Sequence, residues 1–155
     1  MTQFRVVAIP ENIAEKARNM LKSPQYGHPA HVETAKGYGP CRFCLQTFRQ
    51  GEEQRLLFTF NPFEGLDAYP SPGPIFIHRD ACVRYEQRGF PAALRELTLM
   101  LEGHGRGRWQ VARERVAHGD VESAITRIFA HTAVEYIHVR NAEAGCYIAL
   151  LEREP

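Results

Sequence analysis

The chain has 155 residues, 44% hydrophobic and 24% charged, the size and balance of one globular domain with a buried core, which excludes a disordered chain. Its formal net charge of +1 supplies no global field to draw it to nucleic acid, an anionic membrane or an acidic substrate, so no such partner is indicated. No run of about twenty apolar residues exists to span a bilayer, and Met1 to Lys16 lacks the apolar stretch and cleavage site of a signal peptide, so a cytoplasmic location is expected.

Phe4 to Ile9 reads as a strand ended by Pro10, followed by a helix whose stripe is Ile13, Ala17, Met20 and Leu21. Residues 23 to 40 hold three prolines, three glycines and two histidines without apolar periodicity, and read as a long loop leading into Cys41. Leu56 to Phe60 and Ile75 to Ile77 are apolar runs bounded by prolines and read as strands. A short helical turn follows Pro91. Leu97, Leu99 and Leu101 then alternate with polar or flexible residues as in a half-buried strand, and Gly103 to Gly107 reads as a hairpin turn. Arg108 to Ala117 returns as the partner strand, with Trp109 and Val111 on one face.

Asp120 caps a helix with the stripe Val121, Ile125, Ile128 and Phe129. Two closing strands, Glu135 to Asn141 and Gly145 to Arg153, flank a tight turn at 142 to 144. Hairpin-joined strands with two main helices predict a single α+β domain over residues 1–155, a largely antiparallel sheet with the helices packed on it. The glycines at 103 to 107 lack the Lys-Ser/Thr ending of a phosphate-binding loop.

The four cysteines are irregularly spaced, and a reducing compartment favours metal binding or thiol chemistry over disulfides. Cys41-x-x-Cys44 followed by His78-x-x-x-Cys82 offers two close pairs of soft or borderline donors, a pattern that suits a closed tetrahedral zinc site. Geometry sets conditions: Cys41 and Cys44 can share an ion only if the chain turns at Pro40. His78 and Cys82 need a helical turn, because four residues of extended strand span roughly 13 Å. The competing readings are three small buried cysteines beside a satisfied histidine, and a redox Cys-x-x-Cys, which would need a helix after Cys44.

A second constellation is the C-terminal hairpin. A turn centred on Glu143 would pair Arg140 with Cys146 and His138 with Ile148, putting His138, Arg140 and Cys146 on one face as candidate catalytic residues, with Ile137 and Val139 turned to the core. The loop residues His28, His31 and Glu33 could supply a further metal or acid/base group. His104, His118 and His131 are expected at solvated turns or helix ends. The function classes left open are a zinc-stabilised binding or accessory domain, an enzyme using a Cys/His or open metal site, and a metal-free interaction module.

Gly39-Pro40-Cys41-Arg42, Gly73-Pro74-Ile75-Phe76, Arg84-Tyr85 and Tyr136-Ile137-His138-Val139-Arg140-Asn141-Ala142 followed by Gly145-Cys146-Tyr147 together resemble the domain-of-unknown-function 1203 family (DUF1203) of bacterial proteins. The resemblance implies a bacterial single-domain protein and supplies no activity. It also implies that the second cysteine of the Pro-Cys-Arg element is not general in the family, so a metal site here would belong to a subset.

Overall fold

In the computed structural model, which describes residues 3–37, 39–107, 109–117 and 119–154, the apolar runs become strands and the two periodic stripes become helices. The order is β1 (Phe4–Val7), α1 (Glu11–Met20), β2 (His31–Thr34), β3 (Gln54–Phe60), β4 (Gly73–His78), a 3-10 turn over Ala92–Glu96, β5 (Thr98–His104), β6 (Gln110–Ala117), α2 (Val121–Phe129), β7 (Tyr136–Asn141) and β8 (Tyr147–Arg153). The architecture is α+β. The strands divide between two antiparallel sheets rather than one, ordered β1-β8-β7-β5-β6 and β2-β3-β4. No helix among the described residues is long and apolar enough to cross a membrane.

Each sheet has its own core and helix. The α2 stripe, Val121, Ile125, Ile128 and Phe129, packs with Leu99, Leu101, Ile137, Val139 and Leu151 of the five-stranded sheet. Asp120 begins that helix by accepting the backbone N–H of Ser123 at 3.1 Å, which satisfies one donor the helix start would leave bare. On α1, Ile13, Ala14 and Ala17 join Leu56, Phe58 and Phe60 of β3 and Ile75 and Ile77 of β4. Met20 and Leu21, expected in that stripe, are exposed, because the helix ends at Met20 and Leu21 turns away with φ 53°.

Four further expectations are corrected. The loop from 23 to 40 contains β2, which pairs with β3 from His31 opposite Leu57 to Thr34 opposite Gln54. Gly103 and His104 belong to β5 rather than to a turn, with a bulge in the pairing to β6 between them. Glycine is required at 103 by packing: a Cβ there would lie 2.6 Å from Ile128 Cγ2 of α2. Of the expected partner strand, Arg108 lies outside the described residues, and Trp109, 60% exposed, precedes β6.

The last correction is the register of the C-terminal hairpin. Arg140 pairs with Tyr147 and His138 with Leu150, across a bulge between Val139 and Arg140. The turn causes this. Asn141 Oδ1 accepts the N–H groups of Glu143 and Ala144 at 2.9 and 3.0 Å, and Gly145 takes φ 77°, so Cys146 is drawn into the turn and out of the strand.

Candidate metal centre

Cys41 to Cys44 is a tight turn closed on itself. Pro40 bridges to Thr47, the Cys41 N–H donates to the Gln46 carbonyl at 2.9 Å, and the Leu45 N–H donates to the Cys41 carbonyl at 2.8 Å. Leu45 holds φ 58°, a conformation that costs a non-glycine residue about 1–2 kcal/mol, and its fully buried side chain in the α2 core holds it there. No helix follows Cys44. The turn lies along the free edge of β4: the Arg42 N–H donates to the Phe76 carbonyl at 3.0 Å, and the His78 N–H donates to Cys41 Sγ at 3.3 Å.

Cys82 returns without the helical turn expected of it. After His78 the chain bends at Arg79 and Asp80 and then runs back beside the cysteine turn, where the Tyr85 N–H donates to the Phe43 carbonyl at 2.9 Å. Arg84 fastens this segment to the carbonyls of Ala8 and Ile9 at 2.6 and 3.0 Å. The result brings Cys41, Cys44, His78 and Cys82 together, with their four donor atoms within 4.8 Å of one another, so the cluster could hold a metal ion. Cys41 Sγ lies 3.8 Å from Cys82 Sγ, and Cys44 Sγ lies 3.5 Å from His78 Nδ1.

Two neighbours complete the surroundings, and neither was legible as a site residue in the sequence. His78 Nε2, the nitrogen turned away from the thiols, meets Glu53 Oε2 at 2.8 Å. Register places Glu53 there: His78 pairs with Arg55, the Arg79 N–H donates to the Gln54 carbonyl at 3.0 Å, and Glu53 stands just before β3, two residues ahead of Arg55. The Arg49 N–H fixes the other carboxylate oxygen at 2.7 Å. Arg18 of α1 donates to Cys82 Sγ at 3.2 Å and to the His78 carbonyl at 3.0 Å. Cys41 is fully buried, whereas Cys44, His78 and Cys82 border a cavity of about 1020 Å³ shared with Arg49, Glu53 and Tyr85.

The cluster shares its protons unequally. Burial raises the Cys41 thiol, but hydrogen bonds from Cys44, Cys82 and His78 overcome it and hold Cys41 well below the usual thiol range. Cys44 is pushed up by its hydrogen bonds to Cys41 and Cys82 and by burial. Bonds to Cys41 and Cys82 raise His78 to about 10. The metal-free cluster is therefore a thiolate beside an imidazolium, with protons that a cation would displace.

The other sequence candidates come together only in part. His138 and Arg140 share a face, with Arg140 Nη2 3.4 Å from His138 Nδ1. Cys146 sits in the turn with its Sγ 4.0 Å from the Ala144 carbonyl. His138 is 1% exposed among the rings of Phe63, His104, Tyr136 and Tyr147. In the loop, His28 stacks on Tyr26 and His31 Nε2 lies 3.7 Å from Glu33, whose carboxylate accepts Arg55 at 3.0 Å. His131 is exposed, and His118 lies outside the described residues. His104 is not at a solvated turn: it stands within β5, its side chain 13% exposed.

Fold and site thus define a two-sheet α+β protein with a Cys3His cluster at the edge of its smaller sheet. The chain belongs to the family described as Protein of unknown function (DUF1203), which matches residues 38–153 and so includes all four cluster residues. No curated protein and no solved structure matches the chain.

Proposed function

We propose that the chain is a single zinc-stabilised domain, a binding or accessory module in which Cys41, Cys44, His78 and Cys82 hold one zinc ion as a closed structural site. One observation carries this reading. A tetrahedral zinc with bonds of about 2.3 Å to sulfur and 2.0–2.1 Å to nitrogen sets its ligands about 3.8 Å apart for S and S, and about 3.5 Å for S and N. The Cys41–Cys82 and Cys44–His78 separations are 3.8 and 3.5 Å.

The chemistry of the donors points the same way. Three thiolates and an imidazole select zinc over hard cations, which take oxygen ligands. Glu53 on Nε2 would fix the tautomer that leaves Nδ1 free to ligate, and Arg18 would offset the net negative charge of three thiolates around a divalent ion. Four protein donors leave no open position for substrate, which favours a structural over a catalytic role. The cavity beside the cluster gives a partner a polar surface bordered by Glu52, Asp80 and Gln87.

Elemental analysis of protein purified without added metal tests the reading. It should return about one zinc per chain, lost in Cys44→Ser. Protein that is stably folded as purified and yet holds no zinc would sink it.

A further inference from the structure

The five-stranded sheet has two unlike faces. Leu99, Leu101, Ile137 and Val139 meet the α2 core, while the intervening positions of the same strands carry Glu102, His104, His138 and Arg140. Glu102 pairs with Arg113 on β6 and with His138 on β7, so these three form a row on that second face. Arg140 Nε lies 2.9 Å from Glu102, His104 Nε2 3.6 Å and Arg113 Nε 3.9 Å.

A sheet that needed only a core would carry aliphatic side chains here, because burying ionisable groups costs desolvation that ion pairing barely recovers. The side chains of Glu102, His104 and Arg140 are 17%, 13% and 13% exposed. Above them lies a cavity of about 310 Å³ lined by Phe63, Met100, Glu102, His104, Arg113 and Arg140. His104 Nε2 is buried on its floor, 3.6 Å from Glu102 and so just beyond hydrogen-bond distance, an arrangement that folded proteins rarely leave without a reason.

Charge and geometry narrow the ligand. Burial would raise Glu102, but His104 and the charge of Arg140 hold it below the usual carboxylate range. Burial and the nearby His104 and Arg140 push His138 down to about 2, which leaves it neutral. Against one carboxylate stand Arg113 and Arg140, a surplus of one positive charge that suits a monoanion, whereas a dianion would meet Glu102. Arg140 is already engaged, with Nη1 on the Gly145 carbonyl at 3.0 Å. Arg113 stands at the mouth, its side chain 60% exposed and its Nε beyond hydrogen-bond distance of Glu102.

From this arrangement we infer that the cavity binds a small hydroxy-carboxylate, its carboxylate on the Arg113 fork and its hydroxyl between His104 Nε2 and Glu102. A planar carboxylate matches the guanidinium fork, and the hydroxyl both donates to Glu102 and bridges the gap to the His104 imidazole nitrogen. Phe63 and Met100 cover the carbon atoms. The inference is independent of the zinc reading, since none of these residues belongs to the Cys3His cluster.

The test is a titration of the protein as purified with lactate, propionate and inorganic phosphate at constant ionic strength, followed by the NMR signals of the His104 and His138 rings. Lactate should shift both saturably, with propionate about tenfold weaker for want of the hydroxyl and phosphate without effect. Arg113→Gln should weaken lactate about tenfold, while Arg115→Gln on the same strand should leave it unchanged. The inference is overturned by lactate that gives no saturable shift up to about 50 mM, ample for a ligand of its size. Propionate or phosphate binding as well as lactate, or unaltered lactate affinity in Arg113→Gln, would overturn it too.

Discussion

His78 faces two ways, with Nδ1 toward Cys44 at 3.5 Å and Nε2 on Glu53 at 2.8 Å. If Glu53 orients the ring for zinc, Glu53→Gln should weaken zinc about 10–100-fold in competition with a chromophoric chelator, while the zinc-saturated fold survives. Protonation of the metal-free protein gives a second check. His78 titrates near 10 when folded against about 6.5 unfolded, so its contribution is fully present below about pH 6.5 and is lost as pH rises toward 10. Cys41, held low by the same bonds, has already given up a proton, so folded and unfolded pairs bind one proton alike between about pH 6.5 and 8.5. Denaturation of zinc-stripped protein should show the loss from about pH 8.5 to 10, lessened in His78→Gln. His138 carries the opposite sign. Its folded value of about 2 means that the unfolded chain takes up the proton first, so stability falls as pH drops below about 6.5. His138→Phe, which keeps an aromatic ring among Phe63 and Tyr147, should remove part of that slope in denaturation carried from about pH 6.5 downward.

At the scale of elements, the close approach of α2 to β5 rests on Gly103. A Cβ added there would stand 2.6 Å from the stiff, β-branched Ile128, so Gly103→Ala should destabilise by about 1–3 kcal/mol in urea unfolding with the m-value unchanged. The elements that reasoning from residues located are those with clear period: the α2 stripe, the Leu99 and Leu101 alternation, and the apolar runs of β3 and β4. β2 escaped because His31-Val32-Glu33-Thr34 has a single apolar residue, and only pairing with β3 makes it a strand. The hairpin register escaped because the Asn141 turn and its bulge depend on side-chain hydrogen bonds that alternation does not report. The four cluster residues were legible from spacing, but the means of joining them was not. A bend and an extended return, tied down by Arg84 and Tyr85, replace the expected helical turn.

Across the whole molecule, the cluster draws together four parts of the chain: the 41–44 turn, the end of β4, the segment after it and, through Arg18, helix α1. If the cluster holds zinc, ligands far apart in the unfolded chain must assemble to bind it, so its affinity is folding free energy, and chelation should lower the melting temperature. Glu53 and Arg18 lie far from the Cys and His spacing that announces the site, and only the β3–β4 register and the packing of α1 bring them to it. The central claim is the ligand set itself. X-ray absorption at the zinc edge of the purified protein should give three sulfur neighbours at about 2.3 Å and one nitrogen at 2.0–2.1 Å. A first shell of oxygen and nitrogen alone, or a spectrum unchanged by Cys82→Ser, would contradict it.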